Sequence, residues 1–184
     1  LIFLIFSMNF LYIYIIYIYK MRLIVLASSE SNIDGAPDGT LINTFNADIL
    51  IKKNSQIALK SITAEYKSAS FVNTEFQDYI LELLTFDIDS YYGYINDSAG
   101  LVNGQRRTIL EMIPADSVST KVVGATTQII LRWTPSYPTF LNIANKKDLN
   151  LRNLGVRLTK YDGSSVELDG AMFVSLLIKD SDDC

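Results

Sequence analysis

The sequence predicts an all-β domain, and three observations carry that prediction. Short apolar runs rich in Val, Ile, Thr, Tyr and Phe recur at intervals of roughly 10–15 residues. Gly, Asn, Asp and Pro separate them as turn signals. No segment sustains a long helical period. The expected architecture is an antiparallel sandwich or barrel of about seven to nine short strands.

Taken in order, RLIVLASS (22–29) is a short apolar run, and NIDGAPDGT (32–40) is dense with turn residues. LINTFNADILI (41–51) is strand-like until KKNS breaks it. QIALKSITAEYK (56–67) sets Ile57, Leu59, Ser61 and Thr63 on one face and Ala58, Lys60, Ile62, Ala64 and Tyr66 on the other. Both faces are mixed, as in a strand packed unevenly between core and neighbour. Ile, Thr and Tyr favour that strand over an amphipathic helix. YILELLTFDID (79–89) begins like a helix, but Thr85, Phe86 and Ile88 draw it toward strand, with Asp87 and Asp89 sharing one face. SYYGYINDSAGLVNG (90–104) reads as a long loop.

QRRTILEMIP (105–114) reads as a strand that Pro114 ends. KVVGATTQIILRW (121–133) reads as one β-branched strand running into TPSYP, where Pro135 and Pro138 force extended or turned backbone. LNLRNLGVRLTKY (149–161) places Leu154, Val156 and Leu158 on one face and Arg157 on the other. Asp162-Gly163 is a hairpin signal, and VELDG and AMFVSLLIKD (171–180) close the chain.

Residues 1–20, LIFLIFSMNFLYIYIIYIYK, stand apart. Seventeen of the first nineteen are apolar or tyrosine, and no charge, proline or glycine precedes Lys20. A transmembrane helix needs about 20 apolar residues, with aromatics at both edges. Here Tyr12, Tyr14, Tyr17 and Tyr19 crowd one half. A signal peptide needs a basic start and a small-residue cleavage site, and neither is present. Ile, Tyr, Phe, Leu, Asn and Lys are the residues that AT-rich DNA encodes. The preferred reading is therefore translated upstream sequence with Met21 as the start, and a membrane anchor is the alternative. Residues 21–184 then form one domain of 164 residues, able to bury roughly two-thirds of its unfolded surface.

Composition narrows the function. The formal charge is −4, so the chain has no general attraction to nucleic acid. Lys52–Lys53, Arg106–Arg107 and Lys146–Lys147 are isolated basic pairs in the sequence, able to form a small patch only after folding. There is no histidine, so neither a Ser-His-Asp nor a Cys-His nucleophile can be built, and histidine-ligated zinc is excluded. The one cysteine, Cys184, allows no intrachain disulfide and no multi-thiolate metal site. A carboxylate pair could still do acid–base work, but Asp87/Asp89 and the tail residues Asp180, Asp182 and Asp183 read as solvated surface. No catalytic residue, cofactor or metal site is expected, and the sequence is not read as an enzyme.

Several stretches have a further resemblance. MRLIVLASSESNIDGAPDGTLINTFNADIL, followed by SQIALKSITAEY, has a short strand ending in serines, an Asn/Pro/Asp turn, a Phe-containing strand and the core Ile57-Ala58-Leu59 with Tyr66 behind it. LVNGQRRTILEMIP supplies an Asn-Gly, basic, Ile-Leu…Ile-Pro segment. YPTFLNIANKKDLNLRNLGVRLTKYDGSSVELDGAMFVSLLI closes with a Leu-x-Val-Arg-Leu strand running through Asp-Gly into an apolar last strand. In this order they resemble the minor capsid, or penton, proteins of the Polinton, virophage and related large-DNA-virus lineage. The chain departs from that pattern in lacking a tryptophan upstream of Ile57; its only one is Trp133.

The resemblance starts at Met21 and implies a single jelly-roll antiparallel β-sandwich. It implies a structural role as a homopentamer at the fivefold vertices of an icosahedral virion, assembled in the host cell and surrounded by the major capsid protein. Specific nucleic acid and a membrane are not among the partners it implies. Fivefold closure needs two different, complementary flanks on each subunit. Tyr91, Tyr92 and Tyr94 in the long loop, with Trp133 and Tyr137, are the candidate interface aromatics, and core packing is the competing role for Trp133. The alternative is a small β-sandwich ligand- or receptor-binding module, with tail aspartates available for calcium and residues 1–19 for a membrane tether.

Overall fold

Alternation in the sequence becomes alternation in burial. In the last strand, Met172, Val174, Leu176 and Ile178 are fully buried, while Phe173 between them is exposed. The same rule places Leu154, Val156 and Leu158 in the core, with Arg157 turned the other way. The computed structural model describes residues 21–28, 39–68, 77–89, 108–123, 126–161, 163, 164, 166 and 171–181. The described residues contain ten strands: β1 (Met21–Ala27), β2 (Thr40–Ile51), β3 (Gln56–Ser68), β4 (Tyr79–Leu83), β5 (Ile109–Ile113), β6 (Val118–Val123), β7 (Thr126–Trp133), β8 (Leu141–Asn142), β9 (Leu149–Lys160) and β10 (Met172–Lys179).

All strand pairings are antiparallel. The first sheet runs β1-β10-β3-β7-β6, and β8 also pairs with β3. The second runs β2-β9-β4-β5. Their inner faces share one core, with Leu26, Leu59, Ile62, Ile129 and Leu176 from the first sheet and Leu41, Tyr79, Leu81, Val156 and Leu158 from the second. The chain is thus an all-β sandwich, as the sequence predicts. Each fully buried Leu, Ile or Val in that layer contributes about 1.5–3 kcal/mol relative to exposure.

The mixed faces of β3 have a physical cause. Ile57 and Leu59 face the core at odd positions, and Ile62 and Ala64 at even ones. The register against β10 shifts between Ser175 and Leu176, so that Leu59 and Ser61 oppose consecutive residues and Lys60 is extra. A bulge at Lys60 therefore switches the parity.

Two expectations change and one strand is added. KVVGATTQIILRW is not one strand. Val123 pairs with Thr126, so the run folds back on itself as the β6–β7 hairpin across residues 124–125. YILELLTFDID stays in the sheet only to Leu83. Beyond it, Thr85 Oγ1 accepts the Gly155 N–H at 2.8 Å, so a side chain takes the donor that the ladder would have used. Finally, Leu141–Asn142 forms a short strand on the edge of β3 at Gln56–Ile57, below the stretch that β7 occupies. These additions take the count above the predicted seven to nine.

Turns and cross-sheet contacts close the sandwich. The break at KKNS holds Asn54 at φ 58°, a left-handed position that asparagine tolerates. Gly39 enters β2 at φ 68°, and its carbonyl accepts Leu158 N–H at 2.9 Å. A Cβ on Gly39 would overlap the Leu158 carbonyl oxygen. At the other end of β2, Arg22 reaches from β1 to donate to the Leu50 carbonyl, and it pairs with Asp180 beyond β10. Asn43 Nδ2 donates to the Ala27 carbonyl at 3.0 Å, so β1 is fastened to β2 near both ends.

Gly39→Ala combines a disfavoured φ with a backbone clash, and is expected to cost at least about 2 kcal/mol. The urea midpoint of the purified variant against the unmodified chain measures this.

Candidate assembly surfaces

The surfaces follow from which residues the two sheets turn outward. On the first sheet, register puts Leu23 and Val25 of β1 beside Leu177 and Ser175 of β10, and Ala27 beside Phe173. Leu23 and Val25 are each 52% exposed and Phe173 46%, far more than an inward strand residue. Farther across, Thr63 of β3 pairs with Arg132 of β7, Glu65 with Ile130, and Gln128 with Lys121 of β6. Lys60, Lys121 and Arg132 are exposed, and Glu65 is half-buried. One half of this face is apolar and the other is basic.

The second sheet turns out Ile42 of β2 at 58% exposure, with Leu50 and Leu84 also exposed. Gly155 lies between Ile42 and Leu84, and a Cβ there would crowd the Ile42 side chain while meeting Leu84 at ordinary contact distance. The glycine thus leaves room for the Ile42 side chain over β9. Farther along, Ile80, Ile109, Glu82 and Thr159 are buried although they lie on the strand face opposite the core. Glu82, with a side chain 3% exposed, pairs with Arg157, whose Nε donates to Oε2 at 2.7 Å.

Of the candidate interface aromatics, Tyr91, Tyr92 and Tyr94 lie outside the described residues. Trp133 ends β7 on the inward parity of Ile129 and Leu131 and packs, half-buried, against the core. Its Nε1 is buried without a hydrogen-bond partner in the described structure. Tyr137 is 88% exposed on the connection between β7 and β8, flanked by Pro135 and Pro138. The proline rings fix φ on either side and limit the conformational freedom that binding would otherwise have to remove.

Two of the basic pairs meet after folding. Asn145 Nδ2 donates to the Lys52 carbonyl at 3.0 Å and to the Lys147 carbonyl at 2.9 Å. The Lys53 N–H donates to Asp148 at 2.7 Å. This end of the sandwich therefore gathers Lys52, Lys53, Lys146 and Lys147, with Asp148 among them. Asp87 and Asp89 are exposed nearby, on either side of the Ile88–Ile143 bridge. Arg106–Arg107 lie outside the described residues. Of the tail aspartates, Asp180 is engaged with Arg22 and accepts from Ser55 Oγ at 3.3 Å, while Asp182 and Asp183 lie outside the described residues. Among the described residues, no three Asp, Glu or Cys side chains converge to hold a metal ion. Among them, too, no helix is long and apolar enough to cross a membrane.

Glu111 is a carboxylate of β5. It pairs with the core-facing Leu81 across β4 and β5, which turns it to the inner side of the sandwich. Burial pushes its pKa above the ordinary 4.5, partly offset by a hydrogen bond from the Met112 backbone.

The sequence reading missed the exposed apolar residues on both faces. A signal was present: RLIVLA in β1 is apolar at both parities, whereas a strand buried on one face alternates. Compared with known proteins, the chain matches no family model, and no curated protein matches it.

Arg157→Ala removes the cation from a buried carboxylate and is expected to cost about 3 kcal/mol by chemical denaturation. For Glu111 the sign is opposite to that of a paired acid. Between pH 4.5 and its raised value the native state keeps a proton that the unfolded chain has released. Stability therefore falls as pH rises through that window. Glu111→Gln is expected to be more stable than the unmodified chain at pH 7 and to lack this fall, read as denaturation midpoints across pH 4–8.

Proposed function

We propose that the chain is a structural subunit of an icosahedral virion: a minor capsid, or penton, protein, five copies of which close a ring at a fivefold vertex beside the major capsid protein. The observation that carries this reading is the nesting of the strand pairs. β4 pairs with β5, β3 with β7, β2 with β9 and β1 with β10. A single antiparallel ribbon wrapped into two four-stranded sheets has this order. It supports the jelly roll that the sequence resemblance implies, with β6 and β8 as additions to the first sheet.

The role then rests on contact physics. A ring of identical subunits needs a heterologous contact, so two different surfaces of each copy must match. The outer faces of the two sheets differ in this way: one is half apolar and half basic, the other apolar around Ile42 and Leu84 with a buried ion pair beyond. A stable contact buries about 1,200–2,000 Å² in total and draws most of its energy from a few aromatic or apolar anchors. The proline-flanked Tyr137, Tyr161 and Phe173 are the exposed described aromatics available for that role.

Light scattering after size exclusion, with negative-stain imaging, tests this on the full chain and on residues 21–184 side by side. The expected product is a ring of five. A monomer in both, at tens of micromolar and with the major capsid protein added, would instead favour a monomeric binding module.

A further inference from the structure

We propose that β1 is a releasable strap: it leaves the edge of the first sheet as a unit while the rest of the sandwich stays folded, and Arg22 and Asn43 are the ties that govern its release. This is a property of a single copy and does not rest on the assembly reading. β1 ends its sheet and has one backbone partner, β10. The hydrogen bond from the Ser28 N–H to the Met172 carbonyl fixes which backbone groups point which way. In an antiparallel pair every second residue bonds to the same neighbour. Ile24, Leu26 and Ser28 therefore bond to Leu176, Val174 and Met172, while Leu23, Val25 and Ala27 turn their N–H and C=O groups to the far side. β2 lies on that side and forms no ladder with β1.

Side chains bridge the gap instead. Arg22 Nη1 donates to the Leu50 carbonyl at 2.5 Å while Nη2 holds Asp180, and Asn43 Nδ2 donates to the Ala27 carbonyl at 3.0 Å. Each tie is incomplete. Arg22 Nε and Asn43 Oδ1 are both buried without a hydrogen-bond partner among the described residues. Water reaches both atoms once β1 leaves, which offsets part of the cost of breaking the ties. The Arg22 and Asp180 side chains are 35% and 23% exposed, and a pair so open to water holds weakly. Of the β1 residues only Ile24 and Leu26 belong to the core, and Leu23 and Val25 already face solvent. After release β10 keeps its ladder with β3, and the second sheet keeps its four strands. An element with so few buried contacts opens below the cost of global unfolding. Opening uncovers the backbone groups of Val174, Leu176 and Ile178, and turns a closed flank into an edge that can accept a strand.

Native-state hydrogen exchange of the full chain tests this, followed amide by amide at rising urea below the unfolding midpoint. The amides of Ile24, Leu26, Val174 and Leu176 report the β1–β10 ladder, and those of Phe173 and Leu177, which point to β3, report the rest. The first group is expected to show protection at least about tenfold lower, with little dependence on urea, because local opening exposes little surface. Along β10 the two groups alternate residue by residue, a pattern that fraying from a strand end does not produce. Arg22→Ala and Asn43→Ala are each expected to lower the protection of the first group by a further threefold or so. Equal protection and equal urea dependence in the two groups would mean that β1 leaves only when the whole sandwich unfolds, and the proposal is overturned. Alternation that both variants leave unchanged overturns the role of the ties.

Discussion

The structure depends on a single apolar layer between two sheets, and on every strand keeping its apolar side chains in register with that layer. A slip of one residue would turn a whole strand inside out. The chain meets this constraint with local irregularities. The extra residue at Lys60 lets Ile57 and Leu59 face the layer before the bulge and Ile62 and Ala64 after it. Between β4 and β5 the register shifts at Leu81/Glu82, leaving Leu110 as the extra residue while Leu110 and Ile113 both stay in the core. Between β2 and β9 the shift from Thr44 to Ile49 carries Phe45 and Ile49 against the core. In each case the bulge preserves inward burial at the expense of ladder regularity.

The polar contacts at the margins depend on the same layer. Arg22 can join β1 to Leu50 and Asp180 only because burial of Ile24 and Leu26 brings β1 alongside β2. Thr85 can receive the Gly155 N–H because Leu83 and Val156 hold the two backbones side by side. These contacts fasten strand ends that lie far apart in sequence, Arg22 and Asp180 above all. Their net worth is modest beside the burial they accompany, because each replaces hydrogen bonds to water.

With the inner faces committed to the core, the outer faces are left to solvent, and there the two sheets diverge. Apolar residues accumulate outward on β1 and β10 and on β2 and the end of β4, while exposed cations accumulate on β3, β6 and β7. Two unlike faces fit the repeated one-way contacts of the proposed ring better than a twofold pair. The Lys52–Lys53 and Lys146–Lys147 end, laced through Asn145, is a further basic region, but Asp148 within it and Asp87 and Asp89 nearby offset its charge.

The sequence by itself determined the class of the molecule and most of its strands, because period-two burial is written locally in residues such as Leu154, Val156, Leu158 and Met172, Val174, Leu176. It also determined what chemistry is unavailable, since no arrangement can supply a histidine or a second thiol. The tertiary structure alone decided which strands became neighbours, and so which residues met. β1 and β10 pair across nearly the whole length of the chain, and no local pattern in RLIVLA or MFVSLLIK names the other as its partner. The outer apolar and basic faces, and the meeting of two lysine pairs at one end, are consequences of that pairing. Exposure of Leu23 or burial of Glu82 depends on what lies across the sheet rather than on the residues beside them in sequence.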